Sequence, residues 1–580
     1  MQLTSRLHIG SEHRIVSPRL AASSPARPKP KPPPSSRSSP APTPAAAMDP
    51  QAIVGTSMRD VRAMLERDGQ DPRTLELGMD LSLAVAYDSL PEPPVSPAAP
   101  LSLAAAAAWV PDGVDRIGRL PDAVLRDVVS RLPAKDAART AALSSRWTGL
   151  WRSAPLALVD AHLLPDGGAG GQPRDVLGRD SPGVAAAVSR VLAAHPGPFR
   201  CVHLTCSTMD AHRGDIERWL QHLAAKGVQE LVFVNRPWPL DLPLPASLFS
   251  CASLTRLHIG VWRLPDTRAL PRAAGFPNLK ELGLYVVVME DRDLAFLLHR
   301  SPVLETLVIL GYQTEVRLRL VSRSLRCVQL CFSNFADIAV VDAPRLERLL
   351  MWVNWGRGST GNDCSRVKIG HAPKLRVVGY LQPEMHGLEI GSTIIKAGIK
   401  ATANTMVSSV QIMAIEVRFE VRNKVKMLPS FLKCFPNIET LHVQSEKADD
   451  PTGKVNLKFW QEAGPIDCVQ SHLKELVFHE FRGSRSELAF LKFIAERAQV
   501  LEKMVIVVPH GRFSSGEDLN AKLKSLTCAK WASKDCKLKV FTSPSTEGAG
   551  PAYNIRVASD FSHPDPFGLI YYHCCCKCSS

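Results

Sequence analysis

Between Asp115 and Trp151 apolar residues recur at helical spacing, in more places than so short a stretch can bury. Val124, Leu125, Val128, Val129 and Leu132 form one stripe with the i, i+4 period of a helix face. Pro121 suits the first turn of that helix, where a missing N–H costs nothing. Pro133 ends it, because the residue before a proline is driven out of the α region. Lys135 to Ala142 reads as a short alanine-rich helix. Ser144-Ser145 offers the N-cap of a third helix, with Trp147, Leu150 and Trp151 on one face. A unit of fewer than about 40 residues does not cover its own core. This one therefore needs a partner, either the rest of the chain or a second protein.

From about residue 199 the period changes. A Leu-x-x-Leu-x-apolar strand recurs, usually with Pro or Ser just upstream. The clearest copies carry Leu254/Leu257/Ile259, Leu279/Leu282/Leu284, Leu304/Leu307/Ile309, Leu325/Val328/Leu330, Leu346/Leu349 and Leu375/Val378. Later copies carry Ile438/Leu441/Val443, Leu473/Leu476/Phe478 and Leu501/Met504/Ile506. The first five central residues step by 25, 25, 21 and 21 positions, within the 20–29 range of leucine-rich repeats. One strand per repeat, stacked in parallel with a returning helix or loop, is the physical reading. Each repeat then buries its apolar face only against its neighbours. Asp291 to His299 fits a returning helix, with Leu294, Leu297 and Leu298 inward. Near the end, Ser484-x-x-Glu487 has the form of a capping box. The helix after it offers Leu488, Leu491, Ile494, Ala495 and Ala498 to a core, and a strand from Leu501 to Val508 stops at Pro509.

The first stretch resembles the plant form of the F-box: Asp115-Arg116-Ile117, Leu120-Pro121-Asp122, Leu132-Pro133 with Lys135-Asp136, then Leu143-Ser144, Arg146-Trp147 and Leu150-Trp151. The irregular repeats, which lack the Asn of the standard consensus, resemble those of plant F-box proteins. The strand–helix–strand over 466–508 resembles the FBD domain that follows such repeats. The expected fold is thus α+β with an α-β repeat. A three-helix F-box (112–160) precedes an irregular leucine-rich-repeat solenoid (195–460) and an FBD unit (465–545). A disordered extension (1–110), including a Pro91–Pro100 linker, and a tail (546–580) flank them.

Composition trims the options. Forty-five per cent hydrophobic and 22% charged residues suit a globular chain. Six of the fourteen net positive charges sit in residues 1–47, with seven Lys/Arg against Glu12. The remainder is too thinly spread for a nucleic-acid stripe. Ten prolines in those 47 residues make that segment a poor folder. Its Arg/Ser-rich character resembles a transit peptide, although Pro32-Pro33-Pro34 disagrees, and Met48 is a second candidate start. No run approaches the roughly 20 apolar residues of a membrane span. Cysteines such as Cys201, Cys327, Cys331 and Cys434 fall in apolar strands, as small buried residues of a reducing compartment, cytoplasm or nucleus.

Candidate chemistry is thin. Gly356-x-Gly358-x-x-Gly361 lacks the helix a dinucleotide site needs and reads as a loop between repeats. His573 and the Cys574–Cys578 cluster lack a second ligand pair for structural zinc. No motif of an active site is present, and no cofactor or metal is expected. The resemblance implies a non-catalytic, substrate-recognition subunit of a cullin–RING ubiquitin ligase. In that role it binds a Skp-family adaptor through Leu120, Pro121, Leu125, Leu132, Pro133, Leu143, Trp147 and Trp151, and an unknown protein target through the repeats. Exposed strand positions such as Arg256, His258, Lys280, Glu305 and Arg326 are candidates for the target. Two other readings stay open. One is a binding scaffold whose helical stripe is packed against the repeats. The other is a small-molecule receptor with a pocket near Trp238, Trp262, Trp352 and Trp355.

Overall fold

The computed structural model describes residue 67 and residues 83–95, 115–164, 180–236, 242–311, 316–333, 335–352, 365–383, 386–398, 402–447, 451–453, 455–546 and 554–568. The Gly356–Gly361 run, Trp238, Trp355, the first 66 residues and Cys574–Cys578 lie outside them.

Helix α1 covers 83–89. Three short helices then form the F-box: α2 (Asp122–Ser130), α3 (Ala134–Thr140) and α4 (Ser145–Ser153). Ser144 caps α4 by accepting from the Trp147 N–H. Strand β1 (Leu156–Val159) leads directly out of α4. It opens a sheet of fourteen strands whose neighbours all pair in parallel. The nine repeat strands expected from sequence are all in it: β4 (Arg256–Gly260), β5 (Glu281–Tyr285), β6 (Thr306–Leu310), β8 (Cys327–Cys331), β10 (Arg348–Trp352), β12 (Val377–Leu381), β16 (Thr440–Ser445), β17 (Glu475–His479) and β18 (Lys503–His510). Their central residues align across the sheet, Leu257 opposite Leu282, Leu282 opposite Leu307, Leu307 opposite Val328 and Val328 opposite Leu349. Five more strands complete it: β1, β2 (Phe199–Leu204), β3 (Glu230–Val234), β15 (Ile412–Val417) and β19 (Lys537–Thr546).

One expectation needed revision. The returning segments are helical at Ser181–Ala194, Arg213–Ala225, Asp291–His299 and Arg485–Arg497. Between them, a second sheet is built from β7 (Val316–Val321), β9 (Phe335–Asp342), β11 (Ser365–His371), β13 (His386–Ile390) and β14 (Thr393–Ile394). Arg317-Leu318-Arg319-Leu320 and Arg366-Val367-Lys368-Ile369 alternate polar and apolar, the period of a strand with one wet face. Leu318, Leu320, Val367 and Ile369 accordingly enter the core. Arg366 pairs with Asp337 at 3.0 Å and Lys368 with Glu389 at 2.6 Å. The FBD segment joins the same sheet through β17, β18 and β19, the first two already among the repeat copies expected from sequence. The Ser484/Glu487 capping box forms as expected. Strand β18 runs one residue past Pro509, at a shift of register between Val508 and His510. A proline, with no N–H for the ladder, is tolerated at such an irregularity.

Val261, Val286 and Phe332, leaving β4, β5 and β8, have φ near +50 to +60°, where Gly311 stands in the repeat between them. Each donates its N–H to the last residue of the next strand, 2.7–3.0 Å away. The ladder thus continues around the bend, at a strain of about 1–2 kcal/mol for a residue with a Cβ.

Strand residues alternate between two faces, except at register shifts such as that between Val378 and Leu381. Leu257, Ile259, Leu282, Leu284, Leu307 and Ile309 join one core with the helices and the second sheet. Val232, Val234, Tyr285, Val308, Leu310 and Cys331 point to the opposite, inner face. Cys201, Cys327 and Cys434 are buried as expected, and burial pushes their thiols up to about 12.

Candidate docking interface

The F-box stripe divides along its length. Leu125 and Val129 have no accessible surface. Val129, Ala134, Ala137 and Ala154 belong to the same core as the repeat leucines. One position away on α2, Val124 and Val128 are 44% and 39% exposed. Leu120 and Leu143 are exposed as well, and so is Ile117. Among the described residues, five of the nine exposed large apolar side chains lie between 117 and 143. That clustering marks an interaction surface rather than scattered surface leucines.

The backbone beneath this face is held firmly. Arg146 on α4 bonds the Leu120 carbonyl at 2.7 Å, the Asp122 carboxylate at 2.6 and 2.9 Å, and the Gly118 carbonyl. Asp115 accepts from the Gly118 N–H at 2.6 Å. Thr148 donates to the Ala141 carbonyl at 2.8 Å and so pins the α3–α4 turn that presents Leu143. The exposed Arg146–Asp122 pair adds little stability by itself. Its effect is to fix the 118–122 turn against α4.

The eight residues expected to face an adaptor therefore separate. Leu120, Pro121 and Leu143 are exposed, and Leu125 is sealed inside. Leu132, Pro133, Trp147 and Trp151 are half-buried. Pro133 bridges to Ala157 of β1. Trp151 meets the His195 ring edge-on at 5.3 Å, and His195 bonds the Ala154 carbonyl at 3.1 Å. Burial lowers the His195 pKa, so this ring packs as a neutral group. These contacts tie the F-box to the repeats. Ile117, Val124 and Val128 are exposed as well, and sequence reasoning had not named them as candidates. The latter two stood in the stripe, but its period does not say which edge turns outward.

The other candidate positions are mostly occupied. Arg256 pairs with Glu230 at 3.5 Å and Glu281 at 3.0 Å, and buried His258 lies 3.3 Å from Glu281. Burial raises the Glu281 pKa, but the contacts from His258 and Arg256 outweigh it and hold the carboxyl at about 2. Arg326 pairs with Glu305 and Glu347 at 3.8 and 2.7 Å. Lys280 is exposed. Trp262 is fully buried on Phe233, with ring centres 4.6 Å apart. Trp352 packs on Phe332. The cavity beside Trp352 measures about 20 Å³, room for about one water. A larger cavity of about 220 Å³ lies between Trp460, Ile466 and Phe493. Among the described residues no three His, Cys, Asp or Glu side chains gather to hold a metal. None of the helices there is long and apolar enough to cross a membrane.

A three-helix unit with exposed apolar side chains is fused here to a parallel repeat sheet. Residues 117–157 match the F-box family model, 216–443 the leucine-rich repeats of FBD-associated F-box protein At5g56370, and 461–506 the FBD. The F-box/FBD/LRR-repeat protein At1g13570 of Arabidopsis thaliana is 26% identical over 416 residues, 70% of this chain and 93% of that one. F-box/LRR-repeat protein 13 of Arabidopsis thaliana is 24% identical, covering 68% of this chain and 90% of its own length. FBD-associated F-box protein At5g22730, from the same plant, is 24% identical over 74% of this chain and 94% of its own. The chain thus carries an F-box, leucine-rich repeats and an FBD in this order.

Proposed function

We propose that this chain is the substrate-recognition subunit of a Skp–cullin–F-box ubiquitin ligase. Its F-box docks a Skp-family adaptor and its repeats hold a protein target. The observation that carries this reading is the apolar face of Ile117, Leu120, Val124, Val128 and Leu143, bare on one side of helices whose other side is built into the repeat core. A scaffold without a ligase role leaves that face without a purpose.

Ubiquitin transfer belongs to the RING subunit and its conjugating enzyme. This chain contributes proximity, by raising the effective concentration of target lysines near the loaded thioester. The F-box helices pack on β1, and β1 is the first strand of the fourteen-stranded sheet. Adaptor and target are therefore joined through one continuous sheet rather than a flexible linker.

The test is a pull-down of the full chain with a Skp-family adaptor, wild type beside Leu120→Ala/Leu143→Ala. Both replaced side chains are exposed, so circular dichroism should show two equally folded proteins. Capture of the wild type and loss of the variant is the expected result. A folded wild type that the adaptor ignores would remove the ligase reading.

A further inference from the structure

The inner face of the repeat sheet, the side on which solenoids bind their ligands, is already covered here by two segments, residues 83–90 and 554–568. Leu83, Ala86, Tyr87 and Leu90 lie over Val232, Val234, Val261, Tyr285, Val308 and Leu310. Tyr87 donates to the Thr205 carbonyl at 2.5 Å. Residues 554–568, with a short helix at Ile555–Ser559, cover the middle strands. The two segments meet where Arg556 bonds the Asp88 carbonyl at 3.2 Å and Glu92 at 2.5 Å.

The way 554–568 is held differs from ordinary core packing. Arg348 is 3% exposed, yet its guanidinium bonds the carbonyls of Ala558 at 2.7 Å, Asp560 at 3.1 Å and His563 at 2.5 Å. Gln329, fully buried, donates to the Ile555 carbonyl at 3.0 Å and Ser559 Oγ at 2.5 Å. These groups read backbone. Three others read side chains. The Phe561 ring lies under the guanidiniums of Arg326 and Arg348, 3.8 and 4.6 Å from its centre. Phe567 meets Tyr380 edge-on at 5.1 Å. His442 Nε2 lies 2.9 Å from the Asp565 carboxylate. Main-chain hydrogen bonds for affinity, with separate sites for particular side chains, are how grooves recognise peptides.

We propose that this inner face is a peptide-binding groove and that residues 554–568 occupy it as an internal competitor. The target segment it awaits carries two aromatic residues six positions apart and a carboxylate two before the second, as Phe561, Asp565 and Phe567 do. The inference rests on the reading of the repeats as the target-binding arm, and it names the chemistry of that target. Because a tethered segment is present at about millimolar effective concentration, the groove stays closed to weak ligands. It opens to a segment that binds more tightly or when the tail is released.

The experiment uses the full chain and a fluorescent peptide of sequence 554–568. Phe561→Ala/Asp565→Ala/Phe567→Ala weakens the tail in place, and this protein should bind the peptide on the order of a hundred-fold more tightly than wild type. A peptide with both phenylalanines replaced by alanine should not bind it. A second protein keeps every contact: a protease site is inserted after Glu547 and cut, and the labelled peptide should then exchange into the folded chain. A folded tail variant that binds no better than wild type, equal binding of the altered peptide, or a cut tail that never exchanges overturns the proposal. Adaptor capture is measured on the same proteins. Its loss alone removes the ligase reading, while failure of peptide binding with adaptor capture intact removes only the groove.

Discussion

Val124 and Leu125 are neighbours on α2, yet their replacement should produce opposite defects. Val124 is 44% exposed and Leu125 is fully buried. Val124→Asp changes a surface position of the free protein, so stability should move by no more than about 0.5 kcal/mol. Against an adaptor it removes about 1 kcal/mol of apolar burial, roughly half of what a fully covered valine contributes. It also traps an unpaired carboxylate in the interface, at about 1–3 kcal/mol. The sum, about 2–4 kcal/mol, weakens binding roughly 30- to 1,000-fold. Leu125→Ala leaves a hole beneath α2 at a fully buried position, and should cost about 2–5 kcal/mol of stability. The adaptor-facing side chains stay in place, so affinity falls only as far as the helices loosen. Urea unfolding and titration of the full chain onto an immobilised Skp-family adaptor read the two effects separately. Near wild-type binding by Val124→Asp would refute the assignment of the outward face. So would a Leu125→Ala protein of unchanged stability that no longer binds.

The buried histidines predict acid sensitivity. Burial pushes His203 and His479 down to about 3 and His386 to about 4. The His386 Nδ1 accepts from the Gln382 N–H at 3.0 Å, as a neutral ring does. Above the unfolded value of about 6.5 neither state carries these protons and nothing is lost. As the pH falls below it, the unfolded chain takes up protons the fold refuses, at about 1.4 kcal/mol per pH unit for each site, until the folded values are reached. The urea midpoint should therefore drop steadily between pH 6.5 and 4.5, and a flat profile there would contradict the burial of these rings. The capping box offers a separate check. Ser484 Oγ accepts from the Glu487 N–H, and Glu487 accepts from the Ser484 N–H at 2.8 Å and from Ser445 Oγ at 2.6 Å. Ser484→Ala should cost about 1 kcal/mol in urea unfolding, whereas Ser484→Asp, which retains an acceptor, should recover most of it.

Much of this architecture was legible because it rests on local period. The phase of Leu257, Leu282, Leu307, Val328 and Leu349 is repeated in the ladder as a register, since each strand must point the same residues at one core. Ser144 and Ser484 could be assigned as caps because capping chemistry involves only residues three apart. The strands of the second sheet were also written in the sequence, as Arg-Leu-Arg-Leu and Arg-Val-Lys-Ile, but the expectation of a returning helix or loop passed over them. Residues 83–95 show the limit of composition. They lie in a stretch expected to be disordered and to end in a linker, yet Tyr87, Leu90 and Val95 are buried.

The sequence by itself thus determined the three helices of the F-box, the parallel repeats and their phase. Tertiary structure alone decided which edge of the α2 stripe faces outward, that a second sheet lines part of the repeats, and what fills the inner face. The reason is physical. A period states that a face is apolar, while the choice of what covers it depends on groups hundreds of residues away: Arg348 grips a segment more than 200 positions downstream, and Arg556 reaches back to Glu92.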